Sequence, residues 1–340
     1  MRIWMRRGPL ACLLWPFSLL FRSLTACRRA GFRLGMFKPV RLPVPVIVVG
    51  NLFVGGTGKT PLTIWLVEAL RRAGRHPGVI SRGYGRKGAG VQPVTIRSSA
   101  AALGDEPVLI ARRTGCPMMV GRDRVAAGTA LLAAHPEIDI LISDDGLQHY
   151  RLARDIEIVL SDARGNGNGW LLPAGPLREP ASRRRDFTVD NLGTPTSESA
   201  AAMPARSSPT VRMELQAPVA EQLCDRSQRT TLAAIACAQP RPRIVAAAGI
   251  GNPARFFATL SAAGLEFEGL PLPDHYAFSA DSFTGCEADL ILITEKDAVK
   301  CQEIKALASD ARLWVVPVSA QFDAPFADLI LERLRGHATA

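Results

Sequence analysis

With 340 residues, 47% of them hydrophobic and 21% charged, the chain is long enough for two cores and too apolar to be disordered. A formal net charge of +10 invites a nucleic-acid partner, yet residues 1–41 carry nine basic residues and no acidic one, leaving the rest nearly neutral. The charge therefore argues against nucleic acid, and seven scattered cysteines without metal-binding spacing suit a reduced compartment.

Between the basic flanks, residues 10–21 form an apolar run broken by Pro16. Twelve helical residues rise about 18 Å, against roughly 30 Å of hydrocarbon, and the proline predicts a kink. Arginines on both sides remove the asymmetry that orients a crossing helix and suit an anionic headgroup layer. Residues 1–41 are read as an anchor lying on an anionic membrane surface, with a single span as the competing reading. An export signal is the third reading, disfavoured because it would carry the next motif away from ATP.

That motif is Val54-Gly55-Gly56-Thr57-Gly58-Lys59-Thr60, between a strand predicted at 44–49 and a helix at 61–73. Glycines let successive backbone N–H groups face phosphate oxygens, and the helix amino end adds partial positive charge. Gly55, Gly56, Thr57, Gly58, Lys59 and Thr60 are the predicted ATP ligands, with Lys59 as the mobile cation and the Thr60 hydroxyl on magnesium. Phe53 stands where the strict pattern has a glycine. Strands at 78–81, 118–121 and 138–143 alternate with helices around 108–112 and 123–134, which predicts a mostly parallel sheet covered on both faces. The strand at 138–143 delivers Asp144 and Asp145 to its carboxyl end, where a Mg²⁺ bridging phosphates needs oxygens.

A further strand is predicted at 156–160, a turn or hinge at 165–169, and an exposed loop at 191–208. A second α/β unit follows, with strands at 244–248, 289–294 and 313–318 and a helix at 254–263. Gly249-Ile250-Gly251 lacks the third glycine of a dinucleotide fingerprint and is read as a tight turn. The fold class is α/β: a P-loop NTPase-like parallel-sheet domain at 42–152, a linker at 153–172, a second, smaller α/β domain at 173–335, and the amino-terminal membrane-associated helix. On these residues alone, a soluble P-loop kinase or ligase acting on a small metabolite and a regulatory nucleotide switch stay open. Guanine readout is disfavoured, since Thr294-Glu295-Lys296-Asp297 has the wrong spacing.

Several further motifs occur in order: Val49-Gly50-Asn51 before the P-loop, Ser81-Arg82-Gly83-Tyr84-Gly85, Gly104-Asp105-Glu106-Pro107, and Gly121-Arg122-Asp123-Arg124. Asp144-Asp145-Gly146-Leu147-Gln148-His149, the run 172–180 ending in Leu177-Arg178-Glu179-Pro180, residues 249–256, Asp274-His275-Tyr276 and residues 294–298 complete the set. Together they make the chain closely resemble the tetraacyldisaccharide 4'-kinase family of lipid A biosynthesis over nearly its whole length. The resemblance implies transfer of the γ-phosphate of ATP to the 4'-hydroxyl of an acylated disaccharide 1-phosphate, at the cytoplasmic face of a bacterial inner membrane. No obligate protein partner is implied.

The resemblance also implies that Asp105 and His275 form a dyad that takes the sugar hydroxyl's proton; without it, Asp105 also reads as a helix cap and His275 as a surface loop residue. Glu106 and Glu179 become candidate magnesium or water ligands beside Thr60, Asp144 and Asp145. Arg178 becomes a candidate to neutralise phosphate charge from the second domain. Arg82, Arg122, Tyr84, Gln148 and His149 are further candidates. Arg183-Arg184-Arg185 reads either as a lipid-phosphate contact or as a solvated run.

Overall fold

A computed structural model describes residues 2–86, 88–191, 208–322 and 325–337. Among them, fifteen strands assemble into two sheets. The first eight are β1 (Val46–Asn51), β2 (Pro77–Ser81), β3 (Gln92–Val94), β4 (Met118–Val120), β5 (Ile140–Asp144), β6 (Ile156–Asp162), β7 (Phe187–Asn191) and β8 (Thr210–Gln216). The rest are β9 (Val219–Gln222), β10 (Arg229–Thr231), β11 (Ile244–Ala248), β12 (Glu268–Pro271), β13 (Leu290–Thr294), β14 (Leu313–Val316) and β15 (Ser319–Phe322).

The larger sheet has the order β15-β8-β7-β6-β1-β5-β2-β4-β3. Its strands from β8 to β4 are mutually parallel, and the edge strands β15 and β3 run against them. Every residue of β1, β2 and β5 is buried, as expected of parallel strands covered on both faces. One face packs against the helices Lys59–Arg72 and Asp105–Thr114, the other against the helix Arg124–Ala134. Because these strands share a direction, Asn51, Ser81, Asp144, Asp162 and Asn191 end on one polar rim, the edge where α/β sheets bind ligands. The smaller sheet, β10-β9-β14-β13-β11-β12, has a parallel core from β14 to β12.

The expected boundaries are corrected by the pairing. The supposed linker contains β6, which pairs with β1 itself, and β7, β8 and β15 continue the same sheet. The helix Phe326–His337 also returns to the first lobe, where Phe326 stacks on Trp65 of the P-loop helix at 5.6 Å. The chain passes between the sheets at residues 217–218 and again at 317–318, each time through a proline. The glycine run 165–169 makes consecutive turns after β6 and is not the hinge. The loop expected at 191–208 falls on residues 192–207, outside the described residues.

The amino-terminal helix runs unbroken from Pro9 to Arg33 through Pro16. Its 25 residues are long and apolar enough to cross a membrane by length and composition alone, longer than the run 10–21 suggested. One side is docked through Ser18, however: Ala11, Ser18 and Gly31 are buried, Gly31 beneath Phe37, while Leu13, Phe17, Leu20 and Leu24 are exposed.

Candidate functional site

The P-loop occupies the turn from β1 into the helix Lys59–Arg72. Gly55 (φ 107°) and Gly58 (φ 101°) adopt a conformation that L side chains rarely take, and Gly58 opens the helix. Asn51, the last residue of β1, organises the loop: its Nδ2 donates to the carbonyls of Phe53 and Gly55, and its Oδ1 accepts from Lys59 Nζ at 3.0 Å. Lys59 Nζ also lies 3.7 Å from Asp145. Two neighbours brace the loop from outside. Asn191, closing β7, donates to the Thr57 carbonyl at 2.7 Å, and Arg164 Nη2 donates to the Gly56 carbonyl at 2.9 Å. The Arg164 guanidinium lies over the Phe53 ring at 4.3 Å, so the unusual Phe53 is a buried platform for a cation.

At the end of β5, adjacent to β1, Asp144 is buried and accepts from Thr63 Oγ1 at 3.3 Å and Ser81 Oγ at 3.2 Å. Burial, reinforced by the charges of Glu106 and Asp145, pushes its carboxyl up to about 6. Asp145 takes a left-handed backbone (φ 47°) and receives Arg178 Nη1 on both oxygens, at 3.0 and 3.1 Å. Burial raises its carboxyl, but Lys59 and Arg178 outweigh that and hold it below the usual range. Arg178 belongs to the first lobe, not the second, since its backbone N–H is bonded to the Leu52 carbonyl at 2.8 Å.

The two lobes meet at Asp105. It opens the helix Asp105–Thr114, a position where the helix dipole favours a carboxylate, and its Oδ2 lies 2.9 Å from His275 Nδ1 of the second lobe. His275 is held in the left-handed region (φ 59°), with its N–H on the Gly249 carbonyl and its ring 5.4 Å from that of Tyr84. Burial works to raise the Asp105 carboxyl, but the His275 bond and Lys296 and Lys300 hold it low. His275 is raised, chiefly by its bond to Asp105. Lys296 joins the same cluster, donating to Glu106 at 3.1 Å and to Asp274 at 3.4 Å. The glycine turn at 249–251 also approaches the P-loop: a Cβ on Gly251 would stand 3.1 Å from the Gly56 nitrogen.

Other predicted residues lie elsewhere. Glu179 is buried and accepts from Gln148 at 3.1 Å, Tyr150 at 2.6 Å and Arg183 at 2.5 Å, so its oxygens are committed to protein partners. Arg183 is thereby a buried ion-pair partner and not part of a solvated run. His149 accepts from the Arg124 backbone N–H, and burial with Arg124 beside it pulls the imidazole down to about 4. Arg82 and Arg122 are exposed on the rim loops. The sequence alone assigns no role to Asn51, Arg164, Asn191 or Lys296. Asn51 carried a usable signal as a polar residue ending an apolar strand before the loop, whereas Asn191 lies 134 residues from the carbonyl it holds.

The family model described as tetraacyldisaccharide-1-P 4'-kinase matches residues 10–335. A tetraacyldisaccharide 4'-kinase of Janthinobacterium sp. (strain Marseille) is 60% identical, covering 99% of this chain and 96% of that protein. One from Herminiimonas arsenicoxydans is 59% identical, covering 100% and 96%. Among solved structures, the "apo" form of LpxK from Aquifex aeolicus in complex with ATP superposes with a TM-score of 0.79 at 29% identity, covering 96% of this chain and 99% of that one.

Proposed function

This chain belongs to the tetraacyldisaccharide 4'-kinase family, and from that premise we propose how its residues carry out the transfer of a phosphoryl group from ATP to a lipid-embedded sugar hydroxyl. It is a lipid A disaccharide 4'-kinase. The observation that supports the mechanism most is the Asp105–His275 contact, which joins the two lobes on the same rim as the P-loop.

The phosphates of ATP lie along the glycines of the P-loop, where backbone N–H groups and the helix amino end meet them. Lys59 leaves Asn51 and Asp145 to pair with the terminal phosphates. Asp105 accepts the proton of the 4'-hydroxyl, and His275 fixes the carboxylate's orientation through Nδ1. The lobes already hold the two in contact, so a closed cleft presents them together to the hydroxyl and excludes water.

The donors near the loop fit a magnesium ion. Asp144 is a buried carboxylate whose contacts are hydroxyls and not a paired cation, and hard oxygen donors suit Mg²⁺. Among the described residues, no three acidic, imidazole or thiol groups converge to hold a metal. Thr60, Asp144, Asp145 and Glu106 are the residues to hold it; Glu179 is left to the Arg183 network. When bound, the ion neutralises charge on the transferring phosphoryl group.

The exposed apolar side of the helix Pro9–Arg33, with basic residues along the segment, is the surface proposed to lie in anionic lipid at the cytoplasmic face of the inner membrane. The acceptor keeps its acyl chains in the bilayer, so the kinase has to come to it. Labelled ATP, Mg²⁺ and an acylated disaccharide 1-phosphate in detergent micelles should yield a product bearing a second phosphate. Label passing only to water-soluble acceptors would refute this.

A further inference from the structure

A serine in the middle of a helix ordinarily returns its hydroxyl to the carbonyl one turn back. Ser18 does otherwise. It is buried on an otherwise largely exposed helix, donates to the Leu171 carbonyl at 2.6 Å and accepts from the Ala174 backbone N–H at 2.9 Å. Other contacts of the amino-terminal segment fall on the same loop. Trp4 Nε1 donates to the Pro173 carbonyl at 3.0 Å, and Arg7 Nε to the Asn168 carbonyl at 3.1 Å. The Arg7 guanidinium lies over the Trp170 ring, which also meets Trp15 at 6.2 Å.

The far side of this loop is built into the nucleotide site. Leu172 donates to the Leu177 carbonyl at 2.9 Å, so the loop closes on itself. Val54 then donates to the Pro176 carbonyl at 3.0 Å, Arg178 donates to the Leu52 carbonyl at 2.8 Å, and Phe53 bridges Leu177. From there the Arg178 side chain reaches Asp145. One short piece of chain thus has the helix on one side and the P-loop entrance on the other.

We infer that Ser18 is a positioning residue for the ATP site: through the loop at 168–178, the amino-terminal helix holds Arg178 and the P-loop entrance in register. The helix is then a structural part of the nucleotide site as well as the proposed lipid-facing surface. This rests on the reading of residues 54–60 as the ATP cradle. Rigid backbone pairing carries the effect, because a shift of Leu171 or Ala174 is passed to residues 176–178 without a flexible side chain between.

The test is calorimetric titration of the full-length chain in detergent micelles with Mg-ATP and no acceptor, paired with steady-state kinetics. Ser18→Ala removes both hydrogen bonds and should weaken ATP binding about tenfold, with KM for ATP rising in step. The acceptor KM and binding to anionic vesicles should stay within about twofold of wild type, a split that general loosening does not give. Ser18→Thr, which keeps a hydroxyl, should restore most of the affinity. Trp4→Phe, which loses the bond to Pro173, should weaken ATP in the same direction and serves should Ser18→Ala fail to fold. Unchanged ATP affinity in folded Ser18→Ala or in Trp4→Phe, or a loss confined to acceptor KM or vesicle binding, overturns the inference. Wild-type chain that ignores ATP overturns the kinase reading and the inference with it.

Discussion

His275 Nδ1 lies 2.9 Å from Asp105 Oδ2, a contact between two lobes made by residues 170 positions apart. Asp105 is nearly enclosed, its carboxylate oriented by its own helix and by one imidazole. A base so placed acts on the chemical step more than on nucleotide binding. Asp105→Asn should lower kcat by about 10²- to 10⁴-fold with KM for ATP little changed. His275→Ala should lose less, because the carboxylate remains. A rise in KM for ATP with kcat intact would make Asp105 a binding residue instead.

The same pair gives a pH signature of stability. His275 is raised above its ordinary 6.5, so its contribution is full below pH 6.5 and fades as pH climbs through the raised value. Asp105 is lowered from 3.8, so its contribution is present above pH 3.8 and fades as pH falls through the lowered value. The window in which both act is pH 3.8 to 6.5. The Tm difference between wild type and His275→Gln should be largest near pH 5.5 and shrink toward pH 9. A difference that grows with pH would contradict the assignment.

Asn51 supplies three bonds to the loop and its lysine. Asn51→Asp keeps the shape but turns an anion toward the carbonyls of Phe53 and Gly55. Loss of buried hydrogen bonds of this kind costs about 1–3 kcal/mol, so KM for ATP should rise roughly tenfold or more. Lys59→Ala should abolish transfer, since the terminal phosphates lose their cation. Nucleotide titration beside kinetics separates the two: the Asn51 variant should bind ATP weakly, and the Lys59 variant should fail in turnover even at saturating ATP.

Much of this was legible in the sequence, for identifiable reasons. The P-loop, the strand ending in Asp144 and the parallel sheet are local patterns, in which continuous apolar runs of strand length end at glycine or carboxylate. What was missed lies beyond the reach of periodicity. The strand Phe187–Asn191 reaches β1 only by way of β6, and β15 returns to the sheet after about a hundred residues in the second lobe, so a boundary at 152 cuts the sheet in two. Lys296 stands in the sequence only as part of the motif at 294–298 and of a mis-spaced guanine signature, because its partners Glu106 and Asp274 converge only when the lobes meet. The resemblance makes Glu179 a candidate metal or water ligand, but sequence alone does not show what its side chain meets. In a loop, neighbours in sequence point apart, and Arg178 turns to Asp145 while Glu179 turns to Arg183.

Asp144 gives a prediction in which stability and activity move in opposite directions. Its folded carboxyl is raised to about 6 from an ordinary 3.8, so the folded state binds the proton more tightly and the charged form costs stability as pH rises through that interval. Asp144→Asn removes the charge and leaves the Thr63 and Ser81 hydroxyls free to reorient. Without nucleotide, its Tm at pH 8 should rise by about 2–5 °C. Activity with Mg²⁺ should fall sharply, and chelating the metal should silence wild type. A variant that melts lower at pH 8 would show that the carboxylate is compensated in the folded chain.

Glu179 should separate a structural acid from a metal ligand. Its oxygens are taken by Gln148, Tyr150 and Arg183, and Arg183 also pairs with Glu157 at 2.5 Å; Glu179 and Arg183 themselves are buried. Removing one member of such a network leaves a buried cation short of a partner, at a cost of roughly 3 kcal/mol. Glu179→Ala should therefore lower stability by about that amount in denaturant unfolding. Its residual activity, measured on the folded fraction, should keep the magnesium dependence of wild type. Glu106→Ala should behave the other way, with little change in stability and a higher magnesium requirement, because Glu106 is held by the Lys296 side chain on the rim and adds to the charge at Asp144. A shifted magnesium requirement in the Glu179 variant at unchanged stability would return that residue to the metal site.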